Sequence, residues 1–299
     1  MRLAAIDIGS NAARLLIAEA ITEKDGSVRF NKLNLVRVPL RLGFDVFERG
    51  EISKEKRGMV LQTMKAYSHL INAYGVKQVI VCATSAMRDA SNSADIIRKV
   101  KLETGLEIEI ISGELEASII YENHIAENMD TDHSYLYIDV GGGSTELTFF
   151  ADGKLISKES FNIGTIRLLK EMVTDDQWDA MKETIKLKTR GYKKIVAIGT
   201  GGNINKIFSL SKKKDGRPLT LDLLKDYYKE LSSHKVAERV RLYNLREDRA
   251  DVIVPALLIF MNVMRWADAD EIYVPKIGLA DGLIHHLHAE IVSKVQPAG

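Results

Sequence analysis

Only one cysteine, Cys82, stands in the 299 residues, so no internal disulfide can form and a reducing compartment is the natural setting. Proline is scarce, at 5 residues, and no Pro/Gly/Ser-rich or low-complexity tract interrupts the chain. That excludes a long flexible tether between domains. Neither charge sign dominates: 42 Lys and Arg stand against 41 Asp and Glu, for a net charge of +1. No global field therefore recruits nucleic acid or an anionic membrane, and any preference for a polyanion has to come from local patches. The longest apolar run, Val252 to Val263, is too short to cross a bilayer and is broken by Asn262. The opening, Met1-Arg2-Leu3-Ala4-Ala5-Ile6-Asp7, lacks the apolar core of a signal peptide. The expectation is a cytoplasmic protein with no nucleic-acid or membrane partner, long enough for two domains with cores of their own.

What is present is one device used twice. Asp7-Ile8-Gly9-Ser10-Asn11-Ala12-Ala13-Arg14-Leu15 opens the chain, and Asp139-Val140-Gly141-Gly142-Gly143-Ser144-Thr145-Glu146-Leu147 recurs in its second half. Each follows a short apolar run that reads as a buried strand and leads into another, from Leu15 and from Leu147. The pattern is a β-hairpin with a small-residue bend and an Asp at the strand end. Bends of Gly and Ser turn backbone N–H groups toward an anion, and a neighbouring Asp holds a metal directly or through water.

Around these hairpins the chain reads βββαβαβα and then restarts near Ser134. Strands are predicted at 2–9, 14–21, 27–39, 76–83 and 106–111. Helices are predicted from the Ser53 cap to Tyr74, over 93–104 up to Gly105, and over 113–128. The second half repeats this with strands at 134–141, 144–151, 154–161, 194–199 and 271–274. Its helices are predicted at 166–172, 175–190, from 203, in about three pieces over 219–266, and at 278–295. Asp25-Gly26 and Asp152-Gly153 are the hairpin turns. The domain boundary is expected within 123–134, giving domains 1–124 and 125–299, with the last helix, 278–295, able to return to the first.

These motifs resemble the exopolyphosphatase and guanosine pentaphosphate phosphatase family of the actin-like ATPase superfold. The resemblance rests on Asp7–Leu15, Arg41-Leu42-Gly43, Thr84–Asn92, Ile110–Tyr121, Ile138–Leu147, Ile198–Gly202 and Arg249–Ile253. It implies an α/β fold of two duplicated actin-like (ribonuclease H-like) domains, each a mixed sheet flanked by helices, with a cleft between. It resembles the two-domain members. The family's usual residues differ at Ala12, at Leu115 and Ser118 (a carboxylate and an arginine elsewhere), and at Ala280, where another arginine is usual.

By position alone Glu116 is a first-turn acid favoured by a helix dipole; the resemblance makes it the catalytic carboxylate that activates water. Asp7, Asp139 and Glu146 are the expected ligands of Mg²⁺ or Mn²⁺. Ser10, Asn11, Gly141, Gly142, Gly143, Ser144 and Thr145 are expected to donate to phosphate, with Arg88 and Arg249 as matched cations. Gly199-Thr200-Gly201-Gly202 resembles the nucleoside-receiving loop of kinases in this superfold, and reads equally as a tight strand–helix turn. The implied activity is release of terminal orthophosphate from inorganic polyphosphate, or from a guanosine pentaphosphate (pppGpp). The absent arginines favour short chains. Two readings compete: an ATP-dependent kinase or ATPase, and a catalytically weak sensor of guanosine penta- or tetraphosphate. A homodimer is left open.

Overall fold

The computed structural model describes residues 1–116, 118–119, 133–192, 194–275 and 278–295, with residue 295 described by its backbone alone. They fall into two units, Met1–Ser112 with Leu279–Gly299, and Gly113–Gly278. The expected boundary at 124/125, and most of the helix expected over 113–128, lie outside the described residues.

The first unit holds β1 (Arg2–Ile8), β2 (Ala13–Thr22), β3 (Val28–Val38), β4 (Gln78–Ala83) and β5 (Glu109–Ile110), in the order β3-β2-β1-β4-β5. The second holds β6 (Ser134–Val140), β7 (Thr145–Ala151), β8 (Lys154–Phe161), β9 (Ile195–Thr200), β10 (Leu219–Thr220) and β11 (Glu271–Tyr273), in the order β10-β11-β9-β6-β7-β8. In each, the opening hairpin strands pair antiparallel, and the first strand then pairs parallel to a later one, β4 or β9. Two mixed sheets with matching strand order are the duplicated α/β architecture that the sequence implies. Every residue of β1 after Arg2 is buried, which explains its unbroken apolar run: a central strand covered on both faces has no polar side.

Helices α1 (Leu42–Arg49), α2 (Lys54–Ala73), α3 (Ser85–Asp89) and α4 (Ser93–Thr104) belong to the first unit. In α2, Val60, Met64, Tyr67 and Ile71 recur at helical spacing and form its buried stripe. Ser53 caps it by accepting from Lys56 N–H, and Gly105 ends α4 in the left-handed region. The second unit begins with α5, described at 113–116 and 118–119. It continues with α6 (Thr165–Leu169), α7 (Asp175–Thr189), α8 (Gly202–Ser211), α9 (Leu221–Ser232), α10 (Val236–Tyr243), α11 (Glu247–Ala250) and α12 (Ile253–Trp266). Its core joins Leu136, Ile138 and Phe149 of the sheet to Ile207 and Phe208 of α8, and to Leu257, Phe260 and Met264 of α12.

Three expectations change. The stretch 106–111 shrinks to the two-residue β5, although Leu106 and Ile108 are still buried. The helices α1 and α3 were not expected; at 8 and 5 residues they are too short to display a helical period. Four helices, not three, fill the region after Leu219, because Asn244 takes a left-handed conformation and ends α10 early. Both predicted hairpin turns form; Asp152 and Gly153, at φ 52° and 68°, supply the two left-handed residues that a two-residue loop needs.

The final helix, α13 (Leu279–Val295), packs on β1, β2 and β4 through Leu283, Ile284 and Leu287. Its His285 ring lies 4.1 Å from Phe30 of β3, and His288 lies 5.3 Å from the same ring. Burial, with a smaller push from the Met1 ammonium, holds the His288 pKa below that of a free histidine. Below about pH 6.5 the unfolded chain takes up this proton more readily than the folded one. Stability is therefore expected to be level above that pH and to fall as pH drops through 6.5 toward the folded pKa. Denaturation midpoints at pH 7.5, 6.5 and 5.5 check this; an unchanged fall in His288→Asn would assign it elsewhere. No helix among the described residues is long and apolar enough to cross a membrane.

Candidate active site

The two bends are built alike. In the first, Gly9 N–H donates to Ala12 O at 3.0 Å; in the second, Gly141 N–H donates to Ser144 O at 2.9 Å. A short helix then docks its N-terminus on the bend's carbonyls. Gly43 N–H of α1 and the preceding Arg41 N–H donate to Ser10 O and Asn11 O, each at 2.9 Å. Thr165 and Ile166 N–H of α6 donate to Gly141 O and Gly142 O at 3.0 and 2.8 Å, and Arg167 Nε donates to Gly143 O at 2.9 Å. In a trans peptide the C=O and the following N–H point in opposite directions. With the carbonyls of 141, 142 and 143 held toward α6, the amides of Gly142, Gly143 and Ser144 point away from it. That sets three consecutive amides on the side of the bend away from α6, an arrangement suited to facing an anion.

Gly164 lets α6 come this close. A Cβ there would stand 2.5 Å from Gly142 O and Gly143 C, both backbone atoms that cannot swing aside. Gly164→Ala is expected to cost roughly 1–3 kcal/mol of stability, the usual penalty of overpacking. A denaturant titration checks it, and a midpoint equal to that of the unsubstituted chain would show that the bend is not held from this side.

The hairpins differ at one matched register position. Across β1 and β2, Asp7 faces Arg14 and the two form an ion pair at 2.6 Å. Across β6 and β7, Asp139 faces Glu146, two acids directly opposite. Like charges at such a position destabilise a sheet unless a cation joins them. Glu116 of α5 adds a third carboxylate, and one oxygen from each of Glu116, Asp139 and Glu146 lies within 4.8 Å of the others. Three hard oxygen donors in one cluster suit Mg²⁺ or Mn²⁺.

Glu146 is buried, and its Oε1 accepts from the hydroxyls of Ser144 at 2.6 Å and Ser160 at 3.1 Å. The Thr145 hydroxyl donates to Ile163 O at 2.6 Å. The side chains of Ser144 and Thr145 thus serve the site's own framework, and donation to an anion falls to the backbone of the bend. Gly201 sits against Asp139, since a Cβ there would lie 3.0 Å from Asp139 Oδ1; its φ of 99° also needs a glycine.

The other candidates lie as follows. In the first unit, Ser10 Oγ is 2.7 Å from Ser85 Oγ, and Arg88 donates to Ile111 O at 2.8 Å. In the second unit, the Arg249 guanidinium donates to Gly202 O in the first turn of α8. Both arginines tie chain segments together through these bonds. Cys82 is buried, as a core thiol is expected to be. Sequence reading misses Ser160 and Gly164. The alternation along β8 is the available signal for Ser160, which the register sets opposite Glu146. For Gly164 the signal is its place just before the first turn of α6.

The comparisons with known proteins bear on family and fold. The exopolyphosphatase 1 of Mycobacterium tuberculosis is 25% identical, over 95% of this chain and 87% of its own length. A bifunctional 3-dehydroquinate synthase/phosphatase of Fusobacterium nucleatum is 30% identical over 91% of this chain, which spans 44% of that longer protein. Among solved structures, an exopolyphosphatase from Cytophaga hutchinsonii matches with a TM-score of 0.83 at 25% identity, covering 97% of this chain and 98% of that one. The Aquifex aeolicus member of the Ppx/GppA family matches at 0.73 and 26% identity, covering 99% of each. The model of the Ppx/GppA phosphatase family matches residues 20–290, and the chain belongs to that family.

Proposed function

We propose that this protein releases terminal orthophosphate from inorganic polyphosphate, with a divalent cation as cofactor. The observation that carries the reading is the Glu116–Asp139–Glu146 cluster, set in the same unit as the triple-glycine bend. Asp139 and Glu146 would hold Mg²⁺ or Mn²⁺, which when bound neutralises phosphate charge and polarises the terminal phosphoryl group. The amides of Gly142, Gly143 and Ser144 bind and orient that group. The Glu116 carboxylate takes a proton from the attacking water as its oxygen approaches phosphorus in line with the bond to the rest of the chain. The shortened polyphosphate leaves with the bridging oxygen. The matching bend in the first unit, with Ser10 and Asn11, is proposed as a further phosphate cradle, with Arg88, Arg249 and Asp7 as supporting groups. Ser118 and Ala280, standing where the family usually has arginines, support a preference for short chains.

The test is phosphate release from tripolyphosphate, long-chain polyphosphate, pppGpp and ATP, side by side, with Mg²⁺ and with Mn²⁺. Faster release from tripolyphosphate than from ATP is the expected result. Consumption of ATP without release from polyphosphate would favour the kinase or ATPase reading. Tight binding of guanosine tetraphosphate with no release from any substrate would make the protein a sensor.

A further inference from the structure

We propose that Lys158 is a substrate-binding cation of this site, contacting phosphate oxygens of the chain next to the group under attack; the inference rests on the phosphohydrolase reading above. Across β7 and β8, Ser160 lies opposite Glu146 and Lys158 lies opposite Thr148. Cross-strand partners share a face, and residues two apart on a strand share it too. Lys158 therefore projects from the sheet face that carries Glu146.

The helix α5 runs along the same line. A Cβ at Gly113 would lie 2.5 Å from Ser160 Oγ, and five residues later Ser118 Oγ meets Lys158 Nζ. Five helical residues rise about 7.5 Å and two strand residues about 6.8 Å, so helix and strand lie antiparallel, in step. Glu116 sits on α5 between these two contacts. One seam thus has the carboxylate cluster toward one end and an ammonium toward the other.

The Ser118 hydroxyl donates its own hydrogen to Glu114 O at 2.9 Å, so it meets Lys158 as an acceptor. Among the described residues this neutral hydroxyl is the side-chain partner of Lys158, which is half-buried and forms no ion pair. Among the described residues such an ammonium is incompletely compensated by a hydroxyl, and a phosphate oxygen is the stronger, charge-assisted acceptor. Swinging from Ser118 Oγ to a phosphate oxygen costs Lys158 one hydrogen bond and gains an ion pair.

The experiment compares wild type with Lys158→Met, Lys158→Arg and Ser118→Ala in the full chain. It measures KM and kcat for tripolyphosphate with Mg²⁺, calorimetric binding of tripolyphosphate, and thermal unfolding. Lys158→Met is expected to raise KM and weaken binding roughly 10- to 100-fold, the worth of one charged hydrogen bond, with kcat changed much less. Lys158→Arg restores most of the affinity, and Ser118→Ala leaves it near wild type. Unchanged tripolyphosphate binding in Lys158→Met overturns the proposal. So does an equal loss in Lys158→Met and Ser118→Ala with a matching drop in unfolding temperature, which would make the pair a clamp on α5. Wild-type protein that binds tripolyphosphate but never turns it over sinks the hydrolase reading and leaves the Lys158 assignment to stand or fall on binding.

Discussion

Glu116→Gln is expected to bind substrate as wild type does and to turn it over about 10²–10⁴-fold more slowly, the usual worth of a positioned general base. The amide has the shape of the carboxylate and none of its basicity, so packing at this largely buried position is kept. The cluster geometry leaves Glu116 a second possible employment, because its oxygen lies within 4.8 Å of those of Asp139 and Glu146. A metal titration separates the two. A base leaves the metal concentration for half-maximal rate where it was, and a ligand moves it. Turnover close to wild type in Glu116→Gln would remove the residue from the reaction.

Chelation is expected to abolish phosphate release, and Asp139→Asn to raise the Mg²⁺ or Mn²⁺ concentration needed by roughly 10–100-fold. The sign follows from the register: Asp139 and Glu146 face each other across β6 and β7 with Glu116 beside them. Without a cation these charges repel one another and repel a polyphosphate. The same linkage predicts that Mg²⁺ raises the unfolding temperature of the wild type and does so less in Asp139→Asn. Full turnover in excess chelator would overturn the metal assignment.

The strand skeleton is legible in the sequence because each signal is local. The turn pairs Asp25-Gly26 and Asp152-Gly153, the Ser53 cap and the Gly105 stop each act on their own few residues. The short helices α1 and α3 are not legible, since their identity comes from docking rather than from a period of their own. In α1 that docking is the N-terminal grip on Ser10 O and Asn11 O. The site divides the same way. Glu116, Asp139 and Glu146 are marked by motif and position. Ser160 and Lys158 enter through the pairing of β8 with β7, a ladder whose register shifts between Phe149 and Phe150. An irregularity of that kind decides which side chains share a face, and a propensity reading cannot place it.

The placement of α13 has a consequence for how the chain is made. Synthesis runs from the N-terminus, so β1, β2 and β4 emerge first. The helix that covers them with Leu283, Ile284 and Leu287 emerges only after all of the second unit. The second unit is one continuous segment, Gly113–Gly278, whereas the first is completed by residues from both of its flanks. A nascent chain therefore closes the later unit without waiting, while the earlier one keeps an apolar sheet face bare until residues 279–295 have been made. That face, rather than the second unit, is where a holding chaperone would be needed on the ribosome.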